Sequence, residues 1–252
     1  MFSSLIPSIV TFVLAALIIG VAGSQLARLA DTLADRTGLG EALFGVLLLA
    51  GVTSLPDFAA TLSAALDARP DLAMSNVMGS MAANLAFLGV ADIVYRKANL
   101  EHAAASPVNL MLAGLLIVLL ALPLLTIFTP TVTGWAVHPI TPVIVVAYLF
   151  GLHLVHRARV RPMWFPRKTH QTVADEPRKH SGRSAIVWLG FIGMALLTGL
   201  AGWVLMEAAK GIADHTGLSE TLVGGLFTAL ATSTPELVTT IAAIRIGALT
   251  LA

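Results

Sequence analysis

The chain has no cysteine among its 252 residues. This absence excludes a disulfide framework, a thiolate metal site and a cysteine nucleophile, so any metal site must use oxygen or imidazole ligands. Charged residues are also scarce, at 12% of the chain. Because 15 basic residues nearly balance 14 acidic ones, the chain lacks the cationic field that a nucleic-acid partner would need.

Apolar residues are abundant instead. They make up 57% of the chain and give a mean hydropathy of +0.87, which excludes an ordinary soluble domain. A membrane-spanning helix needs about 20 apolar residues. Seven stretches meet that requirement: Leu5 to Ala27, Ala42 to Leu66, Leu72 to Ala91, Ser106 to Phe128, Val137 to Leu154, Ser184 to Met206 and Thr221 to Ile244. The sequence therefore predicts an all-α integral membrane protein whose partners include the lipid bilayer.

The distribution of basic residues predicts the topology. Eight of the 15 lie between residues 157 and 183, and the inside-positive rule places such a segment in the cytoplasm. Alternation of the spans then leaves only Arg69 and Lys210 outside. Met1 to Pro7 holds no Lys or Arg, so we expect the first span to be a retained helix with its N-terminus outside. The basic linker could also bind lipid or serve regulation.

An internal duplication with an offset of 179 residues organises the chain. Residues 34–41 (ADRTGLGE) recur as residues 213–220 (ADHTGLSE), and residues 53–57 (TSLPD) recur as residues 232–236 (TSTPE). An odd number of crossings separates the second span from its copy, so the repeats are predicted to be inverted. Inverted repeats are typical of secondary transporters. We divide the chain into a first half (1–156), a cytoplasmic linker (157–183) and an incomplete second half (184–252).

Only two acidic residues, Asp57 and Glu236, lie inside the predicted spans, at equivalent repeat positions. A charge in the apolar layer is costly and normally faces a partner, an ion or water. No Lys or Arg falls within the predicted apolar layer to pair with these acids, which favours a functional role. The alternative is a buried structural acid that is protonated or paired.

A proline precedes each acid. Pro56 and Pro235 cannot donate to the carbonyls four residues earlier, which belong to Val52 and Ala231. Hydroxyl groups surround both predicted helix breaks: Thr53, Ser54, Thr232 and Ser233. Carboxylates, hydroxyls and free carbonyls are hard oxygen ligands that suit Ca²⁺, Mg²⁺, Mn²⁺ or Na⁺. The alternative is a simple proline kink in a membrane helix.

The third span carries a polar stripe, because Asn76, Ser80 and Asn84 recur every four residues and share a helix face. Hydrogen bonding between helices is the alternative explanation for these side chains. Glu41 and Glu220, by contrast, lie at predicted helix starts, where a carboxylate complements the helix dipole. We interpret both glutamates as structural.

These motifs resemble those of a known family. Residues 51–57 (GVTSLPD), followed by residues 75–80 (SNVMGS) and Asn84, are similar to the first alpha-repeat of the calcium/cation antiporter superfamily, which includes sodium/calcium exchangers. Residues 231–236 (ATSTPE) resemble the start of the second alpha-repeat. The resemblance implies an inverted-repeat transporter fold of ten helices, of which about seven are present, so the chain is expected to be C-terminally truncated.

The resemblance also implies a site and a function. Asp57 and Glu236 are expected to coordinate Ca²⁺, with further ion-binding positions at Thr53, Ser54, Ser80, Asn84, Thr232 and Ser233. The implied function is secondary active exchange of Ca²⁺ for Na⁺ by alternating access in the plasma membrane, which is the inner membrane of a prokaryote. No enzyme activity and no cofactor is implied. Asp57, Ser75 and Met81 depart from the family pattern, which leaves ion selectivity open.

Other functions stay open on the sequence alone. Exchange of Ca²⁺ for H⁺, or of another divalent cation, would use the same residues. Two acids on facing helices could also form an intramembrane aspartyl protease, although such an enzyme has no need for matched hydroxyls in both halves. A non-transporting membrane scaffold or sensor is a third class.

Overall fold

The structure, a computed structural model, describes residues 4–37, 50–95, 99–103, 107–125, 138–160 and 184–246. Their helices are, in chain order, α1 (Leu5–Thr37), α2 (Leu55–Leu66), α3 (Pro70–Val94), α4 (Leu100–Ala103), α5 (Pro107–Leu124), α6 (Ile140–Val160), α7 (Ser184–Thr216), α8 (Glu220–Leu222), α9 (Ala229–Thr232) and α10 (Thr234–Ile246). A π-helical segment, Val223–Thr228, joins α8 to α9. The all-helical class predicted from the sequence is confirmed for these residues.

Four helical stretches are long and apolar enough to cross a membrane: Leu5–Leu26, Pro70–Val94, Ile140–Ala158 and Ala185–Thr216. Shorter apolar helices occupy Leu55–Leu66, Val108–Leu124 and Glu220–Thr232. Each of the seven predicted spans therefore overlaps an apolar helix, although three of these helices are below spanning length within the described residues. Part of the second predicted span, residues 42–49, lies outside the described residues. The chain is an integral membrane protein.

The structure divides into two compact units, Met1–Leu100 with Ala174–Ala252, and Glu101–Val173. In the smaller unit α5 packs against α6. A Cβ atom at Gly151 would lie 2.3 Å from a methyl group of Leu115, so the absence of a side chain permits this close packing.

The larger unit is built around α1 and α7, which lie against each other. Ile19 of α1 and Leu205 of α7 are fully buried in one apolar cluster. A second cluster joins Met206 of α7 to Ala60 and Ala64 of α2. Because alanine is small, the backbones of these helices approach closely. The packing holds the start of α2 against the centre of the unit.

The helices that carry the two acids are interrupted at equivalent positions. α2 begins after Ser54 and α10 begins after Ser233, and the backbone angles of these serines are nearly equal, with φ −81° and ψ 4° at Ser54 and φ −86° and ψ 6° at Ser233. Ser54 N–H donates to the Ala50 carbonyl at 3.1 Å, and Ser233 N–H donates to the Ala229 carbonyl at 3.0 Å. The two breaks therefore share one backbone geometry.

Each break packs against the long helix of the other repeat. A Cβ atom at Gly23 of α1 would lie 2.4 Å from Cγ of Pro235, and one at Gly202 of α7 would lie 2.2 Å from the carbonyl oxygen of Pro56. The same pattern recurs with looser contacts. A Cβ atom at Gly20 would lie 3.4 Å from a methyl group of Thr234, and one at Gly199 would lie 3.4 Å from a methyl group of Leu55. A side chain at Gly23 or Gly202 would overlap the facing proline, so the close contacts at these two positions require glycine.

Two helices continue furthest beyond the ends of their predicted membrane spans. The predicted span of α7 ended at Met206, whereas the helix ends at Thr216, and α1 continues past Ala27 to Thr37. Lys210, which the sequence placed outside the membrane, is a buried residue of α7 with 6% of its surface exposed. Hydropathy marks where apolar sequence ends, whereas a helix continues as long as its polar side chains find partners.

Candidate functional site

Asp57 lies in the first turn of α2, directly after Pro56. Its Oδ1 atom accepts hydrogen bonds from Asn76 Nδ2 at 2.6 Å, Ser80 Oγ at 2.7 Å and Thr232 Oγ1 at 3.0 Å. Asn76 and Ser80 occupy successive turns of α3, which the four-residue spacing predicted. Thr232 belongs to the other repeat, so residues of both repeats fix the orientation of this carboxyl group.

Glu236 occupies the equivalent position in the first turn of α10. Its Oε1 atom accepts a hydrogen bond from Ser54 Oγ at 3.3 Å. Ser54 belongs to the first repeat. Each acid therefore accepts a hydrogen bond from a hydroxyl residue at the break of the other repeat, so both acids lie where the two breaks meet.

Two buried oxygen atoms of this site, Glu236 Oε2 and Asn76 Oδ1, have no hydrogen-bond partner among the described residues. The amide nitrogen of Asn76 donates to both Asp57 Oδ1 and Thr61 Oγ1, the latter at 3.0 Å, so only the oxygen is left without a partner. A buried polar atom without a partner is costly. Both atoms are oxygen acceptors of the kind that a hard cation binds, so the donor set fits a cation.

Hydroxyl groups at the breaks add further oxygen atoms. The buried ones belong to Thr53, Thr232 and Ser233. Thr53 Oγ1 lies 3.1 Å from the Ala50 carbonyl, and Thr232 Oγ1 lies 3.0 Å from the Thr228 carbonyl. A hydroxyl has one proton and two lone pairs, so each threonine oxygen keeps a lone pair for an ion whichever of its neighbours accepts the proton.

One further predicted site residue, Asn84, is exposed and lies one turn after Ser80 on α3. Asn84 and the carbonyls of Val52 and Ala231 stay predicted ligands. Asn76 was absent from the predicted ligands, although its place in the polar stripe was the available signal, and its bond to Asp57 now adds it to the site.

The glutamate interpreted as structural in the second repeat lies at a helix start. Glu220 begins α8, whose N-cap residue Ser219 accepts a hydrogen bond from the Leu222 N–H at 3.2 Å. Arg69 forms an ion pair with Glu220 at 3.3 Å. The counterpart in the first repeat, Glu41, lies outside the described residues.

The sequence profile of the sodium/calcium exchanger protein family matches residues 7–157 and 186–252. The match covers most of the chain, including both helix breaks and both acids. The chain belongs to the sodium/calcium exchanger family. No curated protein and no solved structure shows a significant match to it.

Family membership confirms the resemblance seen in the repeats. The sodium/calcium exchanger family is a family of membrane transporters and not of enzymes, so the aspartyl protease interpretation loses its support. The partners of this exchanger family member are the lipid bilayer and inorganic cations. The unmatched residues 158–185 nearly coincide with the basic linker.

Proposed function

We propose that this exchanger carries Ca²⁺ across the membrane in exchange for Na⁺ and binds the ion between Asp57 and Glu236. The observation that carries the proposal is the reciprocal contact between the repeats: Thr232 donates to Asp57, and Ser54 donates to Glu236. Two carboxylates balance the charge of one divalent cation. The partnerless oxygens of Glu236 and Asn76 supply acceptors beside them.

The other ligands come from the residues around the breaks. We assign this role to the hydroxyls of Thr53, Ser54, Ser80, Thr232 and Ser233, and to the carbonyls of Val52 and Ala231. Ser80 and Thr232 donate to Asp57 in the structure. Rotation of these hydroxyl groups turns their lone pairs toward an arriving cation. Several Na⁺ ions compete for the same oxygens and empty the site of Ca²⁺.

Alternating access follows from inverted halves. We assign residues 1–156 and 184–252 to the two halves, the linker 157–183 to the cytoplasm and the N-terminus to the outside. Two observations support this arrangement. Gly23 contacts Pro235 and Gly202 contacts Pro56, so each helix break packs on the other repeat, and the backbone angles at the two breaks are nearly equal. Two related halves that exchange conformations give two states of similar energy, one open to each side.

Calcium flux into liposomes tests this function. The purified protein is reconstituted with Na⁺ inside, and Ca²⁺ uptake is measured with an outward Na⁺ gradient, with an outward H⁺ gradient and with neither. We expect the Na⁺ gradient to drive uptake. Uptake driven by H⁺ alone would replace Na⁺ by H⁺ as the counter-ion, and no driven uptake in either gradient would overturn the proposal.

A further inference from the structure

A second polar cluster lies near the end of α7, away from the ion site. Lys210 is 6% exposed, and its Nζ donates to Asp67 Oδ2 at 2.5 Å, Glu207 Oε1 at 2.7 Å and Ser63 Oγ at 2.9 Å. It also lies 3.2 Å from the Ser63 carbonyl, while Ser63 Oγ donates to Glu207 Oε1 at 2.9 Å. We call these four residues the ammonium cluster.

On the proposed topology, the ammonium cluster lies between the proposed ion site and the outer membrane face. Ser63 and Asp67 follow Asp57 by six and ten residues, which is about 9 and 15 Å along a helix. Lys210 is 26 residues from the start of α7 at Ser184, or about 39 Å, so it lies at the face opposite the basic linker. The Asp67 side chain is 54% exposed, so the outer edge of the cluster reaches water.

The cluster also joins elements from different repeats. Ser63 and Asp67 belong to α2 and its C-terminus, whereas Glu207 and Lys210 belong to α7. The seam between α2 and α7 is apolar and fully buried around the cluster, because Ala60, Ala64, Met206 and Ala209 pack in one core. Ala60 and Met206 lie about one turn nearer to Asp57 than Ser63 and Lys210 do, so an ion that followed α2 from the outer face to Asp57 would meet the cluster before them.

The energetics of a desolvated ion pair suit a contact that separates and re-forms. Desolvation offsets most of the Coulomb attraction in a buried ion pair, so the pair adds little net stability. Separating the pair and exposing both charges to water therefore costs little free energy, whereas removing only one partner by mutation leaves the other charge buried and unpaired. The hydrogen bond and the charge of Lys210 hold the pKa of Asp67 below its ordinary 3.8. The carboxylate stays charged at neutral pH, and this contact is lost only in strong acid.

We propose that the ammonium cluster is a clasp that holds the outer ends of α2 and α7 together and must separate before an ion reaches Asp57 from outside. This inference rests on the proposed exchange function. Lys210 is then a positioning residue that controls access and is not an ion ligand. The clasp acts on one membrane face only, since its four residues lie at one end of α2 and α7.

A cysteine reporter beneath the clasp tests the inference. The chain has no cysteine, so Ala60→Cys, at a fully buried position of α2, introduces a single thiol. The protein is placed in liposomes, outer face outward, and a membrane-impermeant thiol reagent is added outside. We expect the double variant Glu207→Gln with Lys210→Ala to label at least tenfold faster than the reporter alone. That double variant removes the ammonium with its buried carboxylate, so no buried charge loses its partner.

Two further variants keep the test decisive. Asp67→Asn removes the outermost contact at an exposed position and should accelerate labelling less than the double variant, while Lys210→Arg should keep it slow. The matched control is Arg69→Met, which removes two neighbouring ion pairs, with Asp214 at 2.8 Å and with Glu220 at 3.3 Å, and should leave labelling unchanged. Equal labelling in the double variant and the reporter would overturn the clasp, and so would equal acceleration by Arg69→Met.

The labelling assay is independent of transport. Faster labelling in the double variant together with no driven Ca²⁺ uptake by the unaltered protein would support the clasp and overturn the exchange function. Driven uptake together with unchanged labelling would overturn the clasp alone.

Discussion

Three donors converge on one oxygen of Asp57, so α3 and the other repeat together set the position of that carboxylate. Ser80→Ala removes the 2.7 Å bond. A hydrogen bond to a charged group contributes about 1.5–3 kcal/mol, so we expect the half-saturating Ca²⁺ concentration for uptake to rise by roughly tenfold or more. Met78→Ala, at an exposed position of α3, is the control. Equal effects of the two substitutions would contradict this role for Ser80.

The length of the Asp57 side chain sets the space left for the ion. Asp57→Glu adds one methylene, and we expect the longer side chain to leave less space for an ion at the proposed site. Mg²⁺ binds oxygen at about 2.0–2.1 Å and Ca²⁺ at about 2.3–2.6 Å, so the narrower site should favour the smaller ion. We expect Mg²⁺ and Mn²⁺ to inhibit Ca²⁺ uptake more strongly in the variant. Identical competition curves would show that the side-chain length does not set selectivity.

At the scale of elements, the breaks depend on glycines in the facing helices. Gly202→Ala would place Cβ 2.2 Å from the Pro56 carbonyl oxygen, and overpacking of this kind costs about 1–3 kcal/mol. We expect a lower thermal midpoint in detergent. Gly193→Ala is the matched control on the same helix, because its Cβ would meet nothing within 4 Å, and it should be neutral or stabilising. Equal midpoints would contradict the tight contact at the break.

Much of the site was predictable from local pattern. The two prolines predicted the interruptions now seen at Ser54 and Ser233, and the spacing of Asn76 and Ser80 predicted that both reach one side of α3. These features need only the geometry of one helix. The donor from the other repeat, Thr232, required the duplication as well.

Other features were beyond the sequence because they depend on contacts between distant elements. The length of α7 is the main example, since its last turns contain Lys210 and Asp214, whose partners Asp67 and Arg69 follow α2. Average hydropathy treats such charges as the end of a span, although tertiary contacts satisfy them. The exposure of Asn84 was likewise unpredictable from its place in the polar stripe.

At the scale of the whole molecule, the proposed topology assigns opposite faces to the basic linker and the turn after α7. Gln171→Cys in the linker and Leu218→Cys in the turn each give one thiol, because the chain has no other. An impermeant thiol reagent added outside intact cells should label Leu218→Cys and leave Gln171→Cys unlabelled until the membrane is opened. Labelling of Gln171→Cys but not of Leu218→Cys from outside would show that the topology is the reverse of the proposed one and that the ammonium cluster lies at the inner face.

The proposed function gives the molecule one ion site with a carboxylate from each repeat, and the proposed transport mechanism depends on both. Na⁺-driven Ca²⁺ uptake into liposomes by Asp57→Asn and Glu236→Gln, compared with the unaltered protein at equal incorporation, tests this most directly. A divalent cation in a dry site loses half of its charge compensation when either acid is neutralised. We predict at least a hundredfold loss of uptake in each variant with normal membrane insertion. Full uptake by both variants would contradict the assignment of Asp57 and Glu236 as the ion-binding carboxylates.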